Sequence, residues 1–220
     1  MRKTSLVNNE IYHVYNRGVD KRMIFEDQDD FKRFIETLVM LNNHESKGGI
    51  FRSKLPKNRD EDKEPLVTFV SFCVLPNHFH FILKQNVDGG ISKFMQKVQN
   101  SYTKYFNAKY DRSGSLFQGR FKSIHADDNR YLLRLFVYVN LNFKIHKLQH
   151  PMLQFVWSSW DSIINKKTKI SKQNQIFLDH NIVTEQFKDN NSLKEFADQT
   201  LIDILKNKEF QKAIEYDKKI

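Results

Sequence analysis

Two strongly apolar runs, residues 66–75 and 78–83, are separated only by Pro76-Asn77. Runs of this length rich in Val and Phe read as strands. A two-residue link is far too short for the crossover that parallel strands need, so the pair must be an antiparallel hairpin. Within the second run His78 and His80 alternate with Phe79 and Phe81. Side chains two apart on a strand share a face. Both imidazoles therefore project together, and both phenyl rings point the other way, into a core.

The rest of the chain is arranged around this hairpin. Ile11, His13 and Tyr15 alternate with Tyr12, Val14 and Asn16, a first strand ended by Arg17-Gly18. Asp29 and Asp30 open a helical pattern of Phe31, Phe34, Ile35, Leu38 and Leu41. Residues 47–65, rich in Gly, Pro and mixed charge, read as an exposed loop. After Gly89-Gly90 a second helix carries an apolar stripe (Ile91, Phe94, Met95, Val98, Tyr102, Tyr105, Phe106) and a basic one (Lys93, Lys97, Lys104). Residues 116–124 read as a fourth strand bearing Arg120 and Lys122. Asp127 or Asp128 can cap a further helix with a core stripe of Leu132, Phe136, Val139 and Phe143.

The order strand, helix, strand, strand, helix, strand is the split β-α-β pattern of a ferredoxin-like α+β domain, here with an added helix. Residues 1–149 are expected to form this domain. Residues 150–220, with a polar linker at 166–175 and a helical pattern over 177–205, are expected to form a C-terminal helical extension packed on it.

Formal net charge is +10, which favours a polyanionic partner, nucleic acid before an anionic membrane. The one cysteine, Cys73, excludes an internal disulfide and a thiolate zinc site, and reads as a buried small hydrophobe. No apolar leader and no run of membrane-spanning length is visible, so a soluble, cytoplasmic protein is expected.

Two imidazoles on one sheet face suit a divalent metal but leave its coordination shell open. Tyr131, Arg134, Tyr138 and Asn142 recur at steps of three, four and four on the helix after Asp128. Tyr138 and Asn142 are i,i+4 neighbours, so their side chains emerge one above the other. An amide oxygen from Asn142 can complete a metal site, and the Tyr138 phenol can attack what the metal binds. Tyr131 shares that face and is the rival nucleophile, but it has no amide at i+4. Tyr102 and Tyr105 lie in an apolar stripe and read as core. Arg17, Lys93, Lys97, Lys104, Arg112, Arg120 and Lys122, interleaved with aromatic residues, suit single strands and hairpin loops.

Together these segments resemble the REP-associated tyrosine transposases, of the single-tyrosine HUH (transposase IS200-like) family. The resemblance rests on Tyr12-His13-Val14-Tyr15-Asn16-Arg17-Gly18, on Leu75-Pro76-Asn77-His78-Phe79-His80, on Tyr105-Phe106-Asn107 with the stretch 114–122, on Tyr131-Leu132-Leu133 through Tyr138-Val139-Asn140-Leu141-Asn142, and on Trp157-Ser158-Ser159-Trp160. It spans residues 10–205. It implies Mg2+- or Mn2+-dependent cleavage of single-stranded DNA beside an imperfect hairpin, a 5′-phosphotyrosine intermediate, His78, His80 and Asn142 as ligands, and Tyr138 as nucleophile, in a monomer or homodimer. A domesticated hairpin-binding protein that does not cut is the alternative on the same fold. A hydrolase using water in place of tyrosine is a third. The family often continues Asn-Pro-Val-Arg-Ala after the tyrosine. Here the chain reads Asn142-Phe143-Lys144-Ile145-His146, and without the proline the helix is expected to run on.

Overall fold

The sheet is built on the hairpin. In the computed structural model, which describes residues 5–43, 64–165 and 178–207, β2 (Val67–Leu75) and β3 (His78–Gln85) pair antiparallel around Pro76-Asn77. β1 (Ile11–Arg17) lies on the other side of β3, with Tyr15 opposite His80 and Arg17 opposite His78. β4 (Lys122–His125) pairs with β1, and a two-residue strand, β5 (Trp157–Ser158), pairs with β2. The order is β4-β1-β3-β2-β5, with every paired neighbour antiparallel. This is an α+β fold with the ferredoxin-like strand order, plus one edge strand from the C-terminal part. The expected boundary at residue 149 falls between two pieces that share this sheet.

The alternation in β1 and β3 divides the molecule into two cores. Tyr12, Val14, Phe79 and Phe81 face α1 (Gln28–Met40) and α2 (Gly90–Lys109). Ile11 and Ile82, with Cys73 of β2, face α3 (Asn129–Asn140) and the helices α5 (Trp160–Asn165), α6 (Asn181–Thr184) and α7 (Asn190–Lys206). The helical pattern expected over 177–205 is thus two helices, and their buried Val183, Leu193, Ala197 and Ile204 join the α3 core. The loop expected at 47–65 and the linker at 166–175 lie outside the described residues, apart from the last two residues of the loop. Among the described residues no helix is long and apolar enough to cross a membrane.

Two expectations are corrected. The fourth strand starts at Lys122, not at residue 116. Gly119 adopts a left-handed φ of 69°, which breaks the extended run. Before it, Phe117 makes only an isolated bridge to Gly18. The tyrosine helix does not run on either. α3 ends at Asn140, and α4 (Asn142–Ile145) starts after a break at Leu141. In an unbroken helix the Asn140 carbonyl would accept from the Lys144 amide. Here it accepts the Ser158 hydroxyl at 2.7 Å, and the Lys144 amide turns to the Leu141 carbonyl at 2.9 Å.

On the opposite core, α1 begins at a capping box in which the side chains and amides of Asp27 and Asp30 bond reciprocally. Asp30 is fully buried and also accepts from Lys109 Nζ (2.8 Å), Tyr110 (2.7 Å) and Tyr105 (3.1 Å), tying the start of α1 to the end of α2. Removing a buried carboxylate that serves several donors strands all of them. Asp30→Ala should lower unfolding free energy by about 2–3 kcal/mol in urea titration.

Candidate active site

β3 delivers the two histidines to the α3 face of the sheet. His80 is nearly wholly buried and His78, beside the hairpin turn, is partly exposed. The ring centroids stand 5.2 Å apart and the rings are perpendicular. Each Nδ1 is engaged by a side chain. His78 Nδ1 lies 2.6 Å from Asn77 Oδ1, and His80 Nδ1 lies 2.9 Å from His13 Nε2. The Asn77 amide nitrogen donates to the Lys21 carbonyl, so its oxygen is the atom turned to His78. That oxygen can only accept, which places the His78 proton on Nδ1 and leaves a lone pair on Nε2.

Asn142 is fully buried and turns its own oxygen to that lone pair at 3.3 Å. Its Nδ2 has no hydrogen-bond partner among the described residues. A neutral His78 therefore sits between two amide oxygens with one proton to give. A cation at Nε2 resolves this, and so does a half-turn of the Asn142 amide that presents its partnerless Nδ2 to the ring. The spacing also fits, because ligands bound at about 2.1 Å around an octahedral ion such as Mg2+ stand about 3 Å apart when adjacent. Among the described residues no group of three or more His, Cys, Asp or Glu side chains is arranged to hold a metal. A metal site here would have to draw its third protein donor from an amide.

Burial keeps these rings neutral, the state in which imidazole is a ligand. Loss of hydration holds His78 down to about 3, helped by the nearby charges of His146 and Arg17 and partly opposed by the Asn142 contact. His13 falls to about 3 for the same first reason. His80 is held well below the ordinary value by burial and by His13, His78 and His146.

Tyr138 packs against this cluster. Its ring lies edge-on to His80 at 5.4 Å and to His13 at 6.2 Å, and it is fully buried. The rival Tyr131 is partly exposed and interacts electrostatically with Tyr15. Burial, with Asp127 nearby, pushes the Tyr131 phenol up to about 12. Of the two, the structure sets Tyr138 against the histidine pair.

The predicted basic residues divide. Arg17 and Lys122 share the histidine face through the β1 register. Arg120 is exposed in the approach to β4. Lys93, Lys97 and Lys104 lie on α2, across the sheet, and Lys97 donates to the Asn43 carbonyl. Arg112 bonds Asn107 in the turn after α2. Tyr102 and Tyr105 are structural: Tyr102 is buried, and its hydroxyl donates to the Ile24 carbonyl.

Three residues outside the predicted site set contribute. His146 lies 4.9 Å from the His78 ring, on the α4 turn created by the helix break. Ser158 and Ser159 hold the break itself. Ser159 Oγ donates to Asn140 Oδ1 at 2.6 Å and accepts from the Phe72 amide at 3.0 Å. The conspicuous Trp-Ser-Ser-Trp pattern was the available signal, but nothing in it names Asn140 as the partner.

A model of the family described as Transposase IS200 like matches residues 58–142, the stretch from the hairpin to the last candidate ligand. The match covers well under half of the chain. The fold is also similar to a solved structure of a REP-associated tyrosine transposase bound to a REP hairpin, at TM-score 0.51 and 11% identity, covering 81% of this chain and 93% of that one. A bacterial tRNA(His) guanylyltransferase-like protein in complex with ATP aligns at TM-score 0.36 and 12% identity, over 89% of this chain and 93% of that one. No curated protein sequence matches the chain.

The buried rings make its stability depend on pH. The unfolded chain protonates histidine near 6.5, whereas His13 and His78 stay neutral in the fold down to about 3. The unfolded state therefore binds more protons in that window. Stability is whole above it and falls as pH drops through it, by about 1.4 kcal/mol per pH unit for each ring held neutral. Urea midpoints should decline from about pH 7 to about pH 5, and His13→Phe should flatten the decline.

Proposed function

We propose that this protein is a transposase that cuts single-stranded DNA beside a hairpin, with Tyr138 as nucleophile and His78, His80 and Asn142 as the side chains that hold a Mg2+ or Mn2+ ion. The observation that carries the reading is His78 between two amide oxygens, with Tyr138 against the adjoining histidine. The hairpin preference is supported by the REP hairpin in the structurally similar transposase.

When bound, the ion supplies positive charge that offsets the charge developing on phosphoryl oxygens. His78 and His80 hold it as neutral imidazoles. Asn142 adds an uncharged oxygen, so the site keeps net positive charge for a phosphate. Arg17 stands next to His78 and adds to it. The Tyr138 oxygen forms a bond to phosphorus, and the bond from phosphorus to the 3′ oxygen breaks. The phenol proton passes to a base or water, the 3′ oxygen leaves and takes up a proton, and the 5′ phosphate stays on the tyrosine. The phenol is closed off from solvent in this arrangement, so a phosphate reaches it only after its cover shifts. That closure favours a second reading, a hairpin-binding protein that does not cut.

One experiment separates the two. Labelled single-stranded DNA from the gene's own flanks, incubated with protein and Mn2+, should give a denaturation-resistant protein band carrying label. Tyr138→Phe should abolish the band while still binding hairpin and metal, and Tyr131→Phe should keep it. If Tyr131→Phe alone loses the band, Tyr138 is the wrong nucleophile. Hairpin binding with neither cleavage nor band supports the non-cutting reading, and cleavage without a band points to water. A second measurement concerns the ligands. His78→Ala or His80→Ala should weaken Mn2+ binding in calorimetry by well over about tenfold, and unchanged affinity in both removes the metal assignment. A third concerns DNA. Replacing Arg17 and Lys122 together should flatten the log–log salt dependence of hairpin binding by about one to two units.

A further inference from the structure

The proposed metal site needs the Nε2 lone pair of His80, and what makes it available is the other nitrogen of the ring. His80 Nδ1 and His13 Nε2 are 2.9 Å apart. Their rings are inclined by only 17°, with centroids 5.1 Å apart. Those values describe two imidazoles meeting edge to edge, nearly coplanar, with the shared proton on the line between the nitrogens, and not two rings stacked face on face. Both rings are buried, so water does not compete for the contact.

One proton is shared, and its two placements have opposite consequences. With the proton on His13 Nε2, His80 Nδ1 accepts. The neutral His80 ring must then carry its own proton on Nε2, which blocks ligation. With the proton on His80 Nδ1, His13 accepts at Nε2 and the His80 Nε2 lone pair is left open. The second placement puts the His13 proton on Nδ1, which has no hydrogen-bond partner among the described residues. The pair can adopt either state, and a cation at His80 Nε2 is compatible only with the second.

Resting on the metal reading of the preceding section, we infer that His13 is a positioning residue of the metal site: it accepts the Nδ1 proton of His80, fixes that ring's tautomer and plane, and so leaves Nε2 to the metal. Asn77 performs the same service for His78. Each candidate imidazole ligand is thus held from behind by a side-chain acceptor, one from the hairpin turn and one from the neighbouring strand. His13 reaches no substrate from this position, since it is fully buried between Tyr15, His80 and Tyr138.

The test uses Mn2+ itself as the probe, with the full chain. His13→Phe keeps an aromatic ring and removes both nitrogens. It should weaken calorimetric Mn2+ affinity by about 10–100-fold, the usual loss when a ligand's outer partner is removed. His13→Gln, whose amide oxygen can accept the same proton, should recover most of that loss. Long-range 1H–15N correlation spectra of wild type saturated with Mg2+ should show His80 protonated at Nδ1 and bare at Nε2. This spectrum decides the matter even if a variant fails to fold. Three results overturn the role of His13: affinity unchanged in His13→Phe, a His13→Gln as weak as His13→Phe, or an Nε2 proton on His80 in the loaded wild type. A wild type that takes up no Mn2+ removes the metal reading as well.

Discussion

The site depends on which group bonds to one carbonyl. In α3 the Asn140 carbonyl accepts a hydroxyl from Ser158 and not the amide of Lys144. A helix interior that loses one rung must turn or re-bond within a residue or two. Here it re-bonds one residue short, at Leu141, and restarts at Asn142. The turn lays Asn142 over His78 and brings His146 beside it, while Tyr138, before the break, stays packed on His80. The hydroxyl is available because β5 runs along β2 and fixes Ser158 opposite Cys73.

Electrostatics follow from the same packing. The α3 face of the sheet carries three neutral imidazoles, two of them buried, in a basic protein. Burial does most of this, and neighbouring charges reinforce it. Neutrality at neutral pH is what lets the rings act as donors of lone pairs and not of protons. The other face is different in kind. There Asp30 collects donors from the residues just before α1 and from the end of α2 around a single buried carboxylate.

Local pattern accounts for most of what the sequence revealed. Period two located His78 and His80 on one face and Phe79 and Phe81 on the other, because a strand's geometry leaves no alternative. Period 3.6 located α1, α2 and α3 with their stripes. What pattern missed is non-local. The end of α3 is decided by a serine 18 residues downstream, and helical periodicity carries no trace of a competing donor. The pattern of the fourth strand overshoots because its apolar residues continue through Gly119, whose left-handed backbone stops the ladder. The basic residues share a composition but not a face: Arg17 and Lys122 stand by the histidines, and Lys93, Lys97 and Lys104 do not. His13 could be seen as a histidine on the first strand, but only the register that sets it against Ile82, next to His80, gives it a task.

The hydroxyls that break the tyrosine helix come later in the chain than every candidate ligand and the candidate nucleophile. The site is therefore finished from behind. A ribosome that has released the chain only as far as α4 has made His78, His80, Tyr138 and Asn142 but not the residues that align them. A chain stopped there carries the candidate ligands and the candidate nucleophile without the two serines that hold the helix break.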